Sequence, residues 1–402
     1  MKSFCQLPGL LSLLVLCACE PSKQDVAPAH SIFNLEVPAE IPASHKVPML
    51  FQVLLPDSVV SYSASIERRG GYSISFPKAS FEIDLKEDVS LAGLPADDDW
   101  ILNANYIDKT FLRHRYSYDL FRDMSVLHEA PHCAYVELRL NGRYQGLYVL
   151  MEKLDKSSLD LRRADPTACI FKEPPLFIPE LEGFQPQYTD NYYQQTYPDK
   201  RTDDRTAFIE SVRNFLTSTP DSLFAERVGE WFDMPNIIDW HLLLLLSNNS
   251  DGLKKNFYLY KKDSTTPLRV APWDYDHSYG RDGDNEMNFD RWIDCERSLL
   301  FQRLMAQPAY RKALRQRWYA LNDQGIFKLA SLLVRVDAYQ SQLEQLVPAN
   351  FAQWPANGPV YYDANDFSAE LNLMKKYLGI RHEMLTTYFA EMSIGPAAPA
   401  SE

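Results

Sequence analysis

Asp251-Gly252-Leu253-Lys254-Lys255-Asn256, followed by the short apolar run Phe257-Tyr258-Leu259-Tyr260 and then by Trp273-Asp274-Tyr275-Asp276, is the stretch from which the chain is read. Phe257 to Tyr260 and Leu268 to Ala271 have the length and aromatic and aliphatic content of two short strands. The Asp-x4-Asn loop precedes the first strand, and Trp-Asp-x-Asp ends the second. Polar anchors at neighbouring strand ends converge on one rim of a sheet. Asp251, Asn256 and Asp274 would there supply a proton acceptor and hard oxygen ligands, the donor type that magnesium accepts. Asp276 is a second carboxylate beside them. Asp and Asn also favour plain turns, so this spacing needs the support of its surroundings.

Upstream, Leu50 to Leu55 reads as a short buried strand. Phe81, Ile83 and Leu85 alternate with Glu82 and Asp84, as in a half-exposed strand. Gly70-Gly71 marks a turn or a close backbone approach. Pro95, Ala96 and three aspartates read as a loop before Trp100-Ile101-Leu102. Asp108-Lys109-Thr110 opens a helix with the apolar stripe Leu112, Tyr116, Leu120 and Met124, Asp108 being a sound N-cap. Val136, Leu138 and Leu140 alternate up to Asn141-Gly142, and Leu147 to Met151 returns as a buried strand. Asn-Gly suits a type I′ hairpin turn, which needs positive φ at both central residues. Residues 174–206 read as a long surface excursion. Helical patterns cover 207–217 and 233–247. Downstream of 299 they cover 299–305, 310–321, 327–346 and 367–392, with a Pro/Gly/Tyr segment near 348–362. The expected class is α+β, with a mixed or antiparallel sheet lobe followed by a largely helical C-terminal lobe.

Bulk properties set limits on function. The chain has 402 residues, of which 46% are hydrophobic, enough for a sizeable core. It carries 41 basic against 54 acidic residues, a formal charge of −13, and no basic block, which argues against nucleic acid as a partner. Lys2, the apolar run Leu7 to Val15 and Leu16-Cys17-Ala18-Cys19 form a signal peptide over residues 1–18, too short to span a bilayer. Leu-x-Ala-Cys resembles a bacterial lipobox, which implies cleavage before Cys19 and its lipidation. Ordinary cleavage nearby is the alternative. Residues 19–32 then form a tether, 33–392 the main domain (sheet-rich to about 172, helical from about 207), and 393–402 a disordered tail. The expected localisation is that of an exported lipoprotein, periplasmic or at the cell surface. Cys133, Cys169 and Cys295 allow one disulfide at most, and the absence of CxxC argues against a zinc site. His241 and His277 have no metal-ligand spacing and read as structural histidines.

Several stretches together resemble the CotH kinase family, the spore-coat-protein-H type of atypical secreted kinases. They are Phe76-Pro77-Lys78-Ala79-Ser80-Phe81, Trp100 through Asn105-Tyr106-Ile107-Asp108-Lys109-Thr110, and Val136-Glu137-Leu138 with Asn141-Gly142-Arg143-Tyr144-Gln145-Gly146. Glu152-Lys153 and the segments at 251–260 and 272–280 complete the set, in the family's order. The resemblance implies an atypical protein-kinase-like fold, ATP with Mg2+ or Mn2+, and phosphoryl transfer to Ser of an extracellular or coat protein. It implies Asp251 as the base and Asn256 and Asp274 as metal ligands, an Asp and Asn layout that protein kinases share. Lys78 stands where the family places a phosphate-contacting lysine, and Glu152 would be its acidic partner or a nucleotide contact. Lys172 matches a family lysine after a strand. The sequence departs from the pattern at Lys78-Ala79, which lacks a second basic residue, and at Glu82, where a basic residue is common.

Bland readings stand beside these. Asp251 and Asn256 could cap a loop, Lys78 could solvate a strand edge, and Glu152 could pair with Lys153 or Arg143. Asn105, Asp108 and Lys109 could merely start a helix. A non-catalytic pseudokinase scaffold, or a glycan- or protein-binding surface lipoprotein, is the alternative to the enzyme. A glycosidase using Asp251 and Asp274 would leave Asn256 and Lys78 without a role.

Overall fold

A computed structural model describes residues 30–38, 40–161, 165–179, 191–281, 289–293, 297–358 and 363–394. The leader, Cys19, nearly all of the tether, Cys295 and most of the C-terminal tail lie outside the described residues.

The N-terminal part is a closed barrel, built from β1 (Ser31–Glu36), β2 (Val47–Leu54), β3 (Val59–Arg69), β4 (Ser80–Val89), β5 (Asp97–Asn103), β6 (Cys133–Leu140) and β7 (Arg143–Glu152). The strand order is β1-β2-β3-β4-β5-β7-β6, closed by a parallel pairing of β1 with β6, all other pairs being antiparallel. Closure removes the sheet edges that would otherwise invite pairing with other chains. Alternate residues point inward, so Phe33, Phe51, Ile66, Ile83, Trp100, Leu138 and Leu150 fill the interior. On β5, β6 and β7 the outward residues Ile101, Tyr135, Leu147, Val149 and Met151 are buried too, against the rest of the molecule. This two-sided burial explains the unbroken apolar run Leu147 to Met151. Leu50 to Leu55 differs from expectation. Its outward face meets solvent, and Leu50 is 36% exposed while Met49 and Phe51 are buried. The aspartates before Trp100 also differ, since Asp97–Asp99 begin β5 rather than a loop.

The Asn141-Gly142 turn has φ of 50° and 77°, as a type I′ turn requires. Between β5 and β6 lies α1 (Arg113–Met124), whose stripe Leu112, Tyr116, Leu120 and Met124 is buried, as are Arg113, His114, Ser117, Tyr118 and Phe121. A second sheet takes β8 (Cys169–Lys172), β9 (Gln195–Tyr197), β10 (Phe257–Lys261) and β11 (Arg269–Pro272) in the antiparallel order β11-β10-β8-β9. The helical part comprises α2 (Thr206–Ser218), α3 (Asp221–Trp231), α4 (Met234–Ser247), α5 (Leu299–Met305), α6 (Pro308–Asp323), α7 (Leu329–Leu343), α8 (Val347–Gln353) and α9 (Phe367–Glu391), of which α4 packs on β11 and α8 on β7 of the barrel. Helices α3 and α8 were not expected. α8 falls in the Pro/Gly/Tyr segment, where Pro348 occupies a first-turn position that costs no hydrogen bond. The class is α+β. Helix α4 is buried nearly all round, with Asp233 capping it by accepting from Asn236 N at 3.1 Å. Cys133 and Cys169 are buried free thiols. No helix among the described residues is long and apolar enough to cross a membrane.

Candidate active site

A polar cleft of about 710 Å³ lies between the outer barrel wall at β3–β5 and the ends of β8, β10 and β11. Its walls include Arg69, Lys78, Glu82, Asn105, His114, Lys172, Asp251, Lys255, Asn256, Asp274, Asp276 and His277. Four of the six residues singled out as site candidates from the 251–276 stretch and its surroundings, Asp251, Asn256, Asp274 and Asp276, are thus brought together, and Lys78 lines the same cavity.

Local geometry sets the acidic group. Helix α4 ends at Asn248, whose φ of 54° turns the chain sharply. A single helical turn, Ser250–Leu253, follows, and Asn249 Oδ1 accepts from Gly252 N at 3.2 Å. A Cβ on Gly252 would lie 2.4 Å from Leu244 Cδ2, so only glycine lets the turn tuck against α4. Asp251 is carried on this turn, its carboxylate 3.2 Å from Lys255 Nζ. Asn256 (φ 62°) and Asp274 (φ 55°) leave the facing ends of β10 and β11 in the left-handed conformation. Asn256 Nδ2 donates to the Asp274 carbonyl at 2.9 Å, and Trp273 N donates to the Asn256 carbonyl at 3.0 Å. Tyr118 on α1 accepts from Asp274 N at 3.0 Å.

His114 was not read from the sequence as a site residue. Its Nε2 lies 3.2 Å from Asp274 Oδ1, with the imidazole 2% exposed and the carboxylate 48% exposed to the cleft. Ligand atoms of His114, Asp274 and Asp276 all lie within 4.8 Å of one another. Although burial disfavours its charge, the hydrogen bond from His114 and the charge of that imidazole hold Asp274 below the usual carboxylate range. Burial and the Asp274 charge beside it push Asp276 up. Burial works against protonation of His114, but Asp274 and Asp276 raise its pKa nonetheless. A lone His on α1, 160 residues from Asp274, gives no spacing signal; only the packing of α1 under β11 joins them.

A sequence model of the family described as CotH kinase protein matches residues 66–385. The chain belongs to the CotH kinase family. It is also similar to the inner spore coat protein H of Bacillus subtilis (strain 168), at 23% identity over 253 residues, covering 62% of this chain and 68% of that protein.

The remaining family-motif residues take different places. Lys78 Nζ donates to Ala104 O at 2.9 Å, to Asn350 Oδ1 at 3.1 Å and to Leu147 O, which occupies all three ammonium donors. Its ammonium also sits over the rings of Tyr148 and Phe111, 4.5 and 5.1 Å from their centroids, and burial lowers its pKa well below the usual lysine range. Glu152 is buried away from the cleft, accepting from His132 N at 2.8 Å, with His132 Nδ1 also at 2.8 Å. Glu82 faces the cleft paired with Lys46 at 2.9 Å and Lys153 at 2.8 Å. Burial opposes its charge, yet the two ammonium groups bring its pKa down to about 2. Besides Lys78, the cations lining the cleft are Arg69, Lys172 and Lys255. Arg69 also stacks over Trp273, 5.7 Å from the ring centroid.

The Asn-Tyr-Ile-Asp-Lys-Thr motif divides. Asp108 is a buried anchor that accepts from Thr110 N, Arg113 N and the Arg113 guanidinium. Lys109 reaches Asp363, and Asn105 lines the cleft with both amide atoms buried and unpartnered. His241 is structural, 3.0 Å from Tyr310 OH, and burial pushes it down to about 3, which keeps it neutral.

Proposed function

We propose that the cleft carries out ATP- and metal-dependent phosphoryl transfer to Ser of an extracytoplasmic protein. The observation that carries this reading is the convergence of Asp251, Asn256, Asp274 and Asp276 on one polar cavity in a CotH family chain. Phosphoryl transfer asks for positioned cations, charge stabilisation and a proton acceptor rather than a covalent partner. The carboxylates fit a divalent ion: Asp274 and Asp276 repel one another across a partly buried gap, and a dication would satisfy both. Asp274, Asp276 and the Asn256 amide oxygen would hold it, and when bound it would screen charge on the phosphates. Asp251, half-buried on its turn, accepts the proton of the serine hydroxyl. Arg69 and Lys172 hold the phosphates in place of Lys78, whose ammonium is already committed to protein oxygens.

Export and anchoring belong to this reading as well. The similarity to a spore coat protein favours a place outside the cytoplasm, and the Leu16-Cys17-Ala18-Cys19 motif favours attachment to a membrane by lipid on Cys19. The commitment of Lys78 favours a second reading, a pseudokinase scaffold. Purified protein with γ-labelled ATP and Mn2+ or Mg2+, and a serine-rich acceptor, separates them. Label transfer that Asp251→Asn abolishes with nucleotide binding intact supports the kinase, whereas Asp274→Ala should also weaken metal–nucleotide binding. Neither transfer nor metal-dependent nucleotide binding in the parent would leave the scaffold.

A further inference from the structure

We infer that His114 is itself a ligand of the cleft metal, and that its imidazole makes the site one for Mn2+ or a later first-row divalent ion in preference to Mg2+. The inference rests on the metal-dependent reading of the cleft and adds to it an imidazole ligand and the class of ion.

The geometry is that of a prepared set. A ring nitrogen of His114 and one oxygen from each of Asp274 and Asp276 lie mutually within 4.8 Å, close enough for a single ion to touch all three. One helix face fixes both the ligand and the backbone that bears its partners. Tyr118, four residues after His114, packs edge-on to the imidazole with ring centroids 5.9 Å apart, and its hydroxyl accepts from Asp274 N. The imidazole is nearly all buried, so its ring has little freedom to turn away. Pre-organisation of this kind lowers the entropy lost when an ion binds.

Charge supports the same conclusion. Asp274 and Asp276 bring two carboxylates within reach of the one imidazole. A dication with neutral imidazole neutralises both carboxylates. Asn256 donates its Nδ2 to the Asp274 carbonyl, which locks the strand ends and leaves its amide oxygen for the ion.

Donor chemistry then decides the ion. Mg2+ demands near-octahedral oxygen ligation and keeps its waters, whereas first-row ions from Mn2+ onward take imidazole beside carboxylate.

Mn2+ alone, added to the purified protein and followed by electron paramagnetic resonance, tests this without any turnover. Pulsed spectra of the bound ion should show 14N modulation from an imidazole. The modulation should vanish in His114→Ala and persist in His277→Ala, the other histidine of the cleft. Mn2+ affinity should fall on the order of tenfold or more in His114→Ala, while Mg2+, measured by competition, changes far less. Bound Mn2+ with oxygen-only couplings in the parent would overturn the imidazole ligand and leave the metal site standing. Equal weakening of both ions in His114→Ala would reduce His114 to a residue that positions Asp274. A parent that takes up no Mn2+ would overturn both the ligand and the metal reading beneath it. The parent spectrum decides the ligand question even if the alanine variant folds poorly.

Discussion

Two residues beside the cleft show how single groups trade charge and space. Glu82 brings an acid to the cleft wall, and the structure brings Lys46 and Lys153 to its carboxylate. Its pKa falls from an ordinary 4.5 to about 2, so its ionised form stabilises the fold. That contribution is present above about pH 4.5 and is lost as pH falls towards 2. Glu82→Gln is expected to cost about 2 kcal/mol at pH 7. The gap between parent and variant in thermal unfolding should close between pH 4.5 and pH 2. Gly252 is the second case. Its missing Cβ leaves room for Leu244, and Gly252→Ala should cost about 1–3 kcal/mol by overpacking. Because the clash sits beneath Asp251, the proposed phosphoryl transfer should fall further than stability, as a comparison of urea unfolding with label transfer would show.

At the scale of elements, the barrel is tied to the helical part through α8. Asn350 Oδ1 accepts from both Leu147 N and Lys78 Nζ at 3.1 Å, and Trp354 Nε1 donates to Gln145 O at 2.8 Å. Gly146 makes this docking possible. Its φ is +112°, and a Cβ there would lie 2.6 Å from Asn350 Oδ1. Gly146→Ala combines backbone strain with a clash and should lower unfolding free energy by about 2–4 kcal/mol. Displacing Asn350 also removes one of the three acceptors of Lys78. Loss of stability without exposure of α8 in hydrogen exchange would contradict this account of the joint. None of this was visible in the sequence, where Lys78 carried a family motif and Asn350 lay in an unassigned segment.

Across the whole molecule, a buried ionic chain connects the first third to the last helix. Arg113 joins Asp108 and Glu370, Arg281 joins Glu370 and Asp363, and Lys109 joins Asp363. Arg113 Nε also donates to Ser278 O at 2.8 Å, which fixes the loop that follows Asp276. α9 thus helps to hold the cleft although it contributes no wall to it. Glu370→Gln would leave two buried guanidinium groups short of charge and should cost about 3–5 kcal/mol. Denaturant unfolding measures that loss. Metal affinity should fall with it, since the 274–280 loop is released.

The sequence by itself determined the α+β class, the Asn141-Gly142 hairpin, the paired strands at 257–260 and 268–271, and family membership. Each of these is encoded locally, in periodicity, turn chemistry or short motifs. It also brought Asp251, Asn256 and Asp274 to one rim, because neighbouring strand ends are short-range facts. Only the tertiary structure decided that the sheet closes as a barrel, since closure depends on the pairing of β1 with β6 more than 100 residues away. The same holds for the direction a side chain takes once buried. Lys78 turned to protein carbonyls, Glu152 turned to His132, and His114 met Asp274, because long-range packing sets which partner is within hydrogen-bond reach.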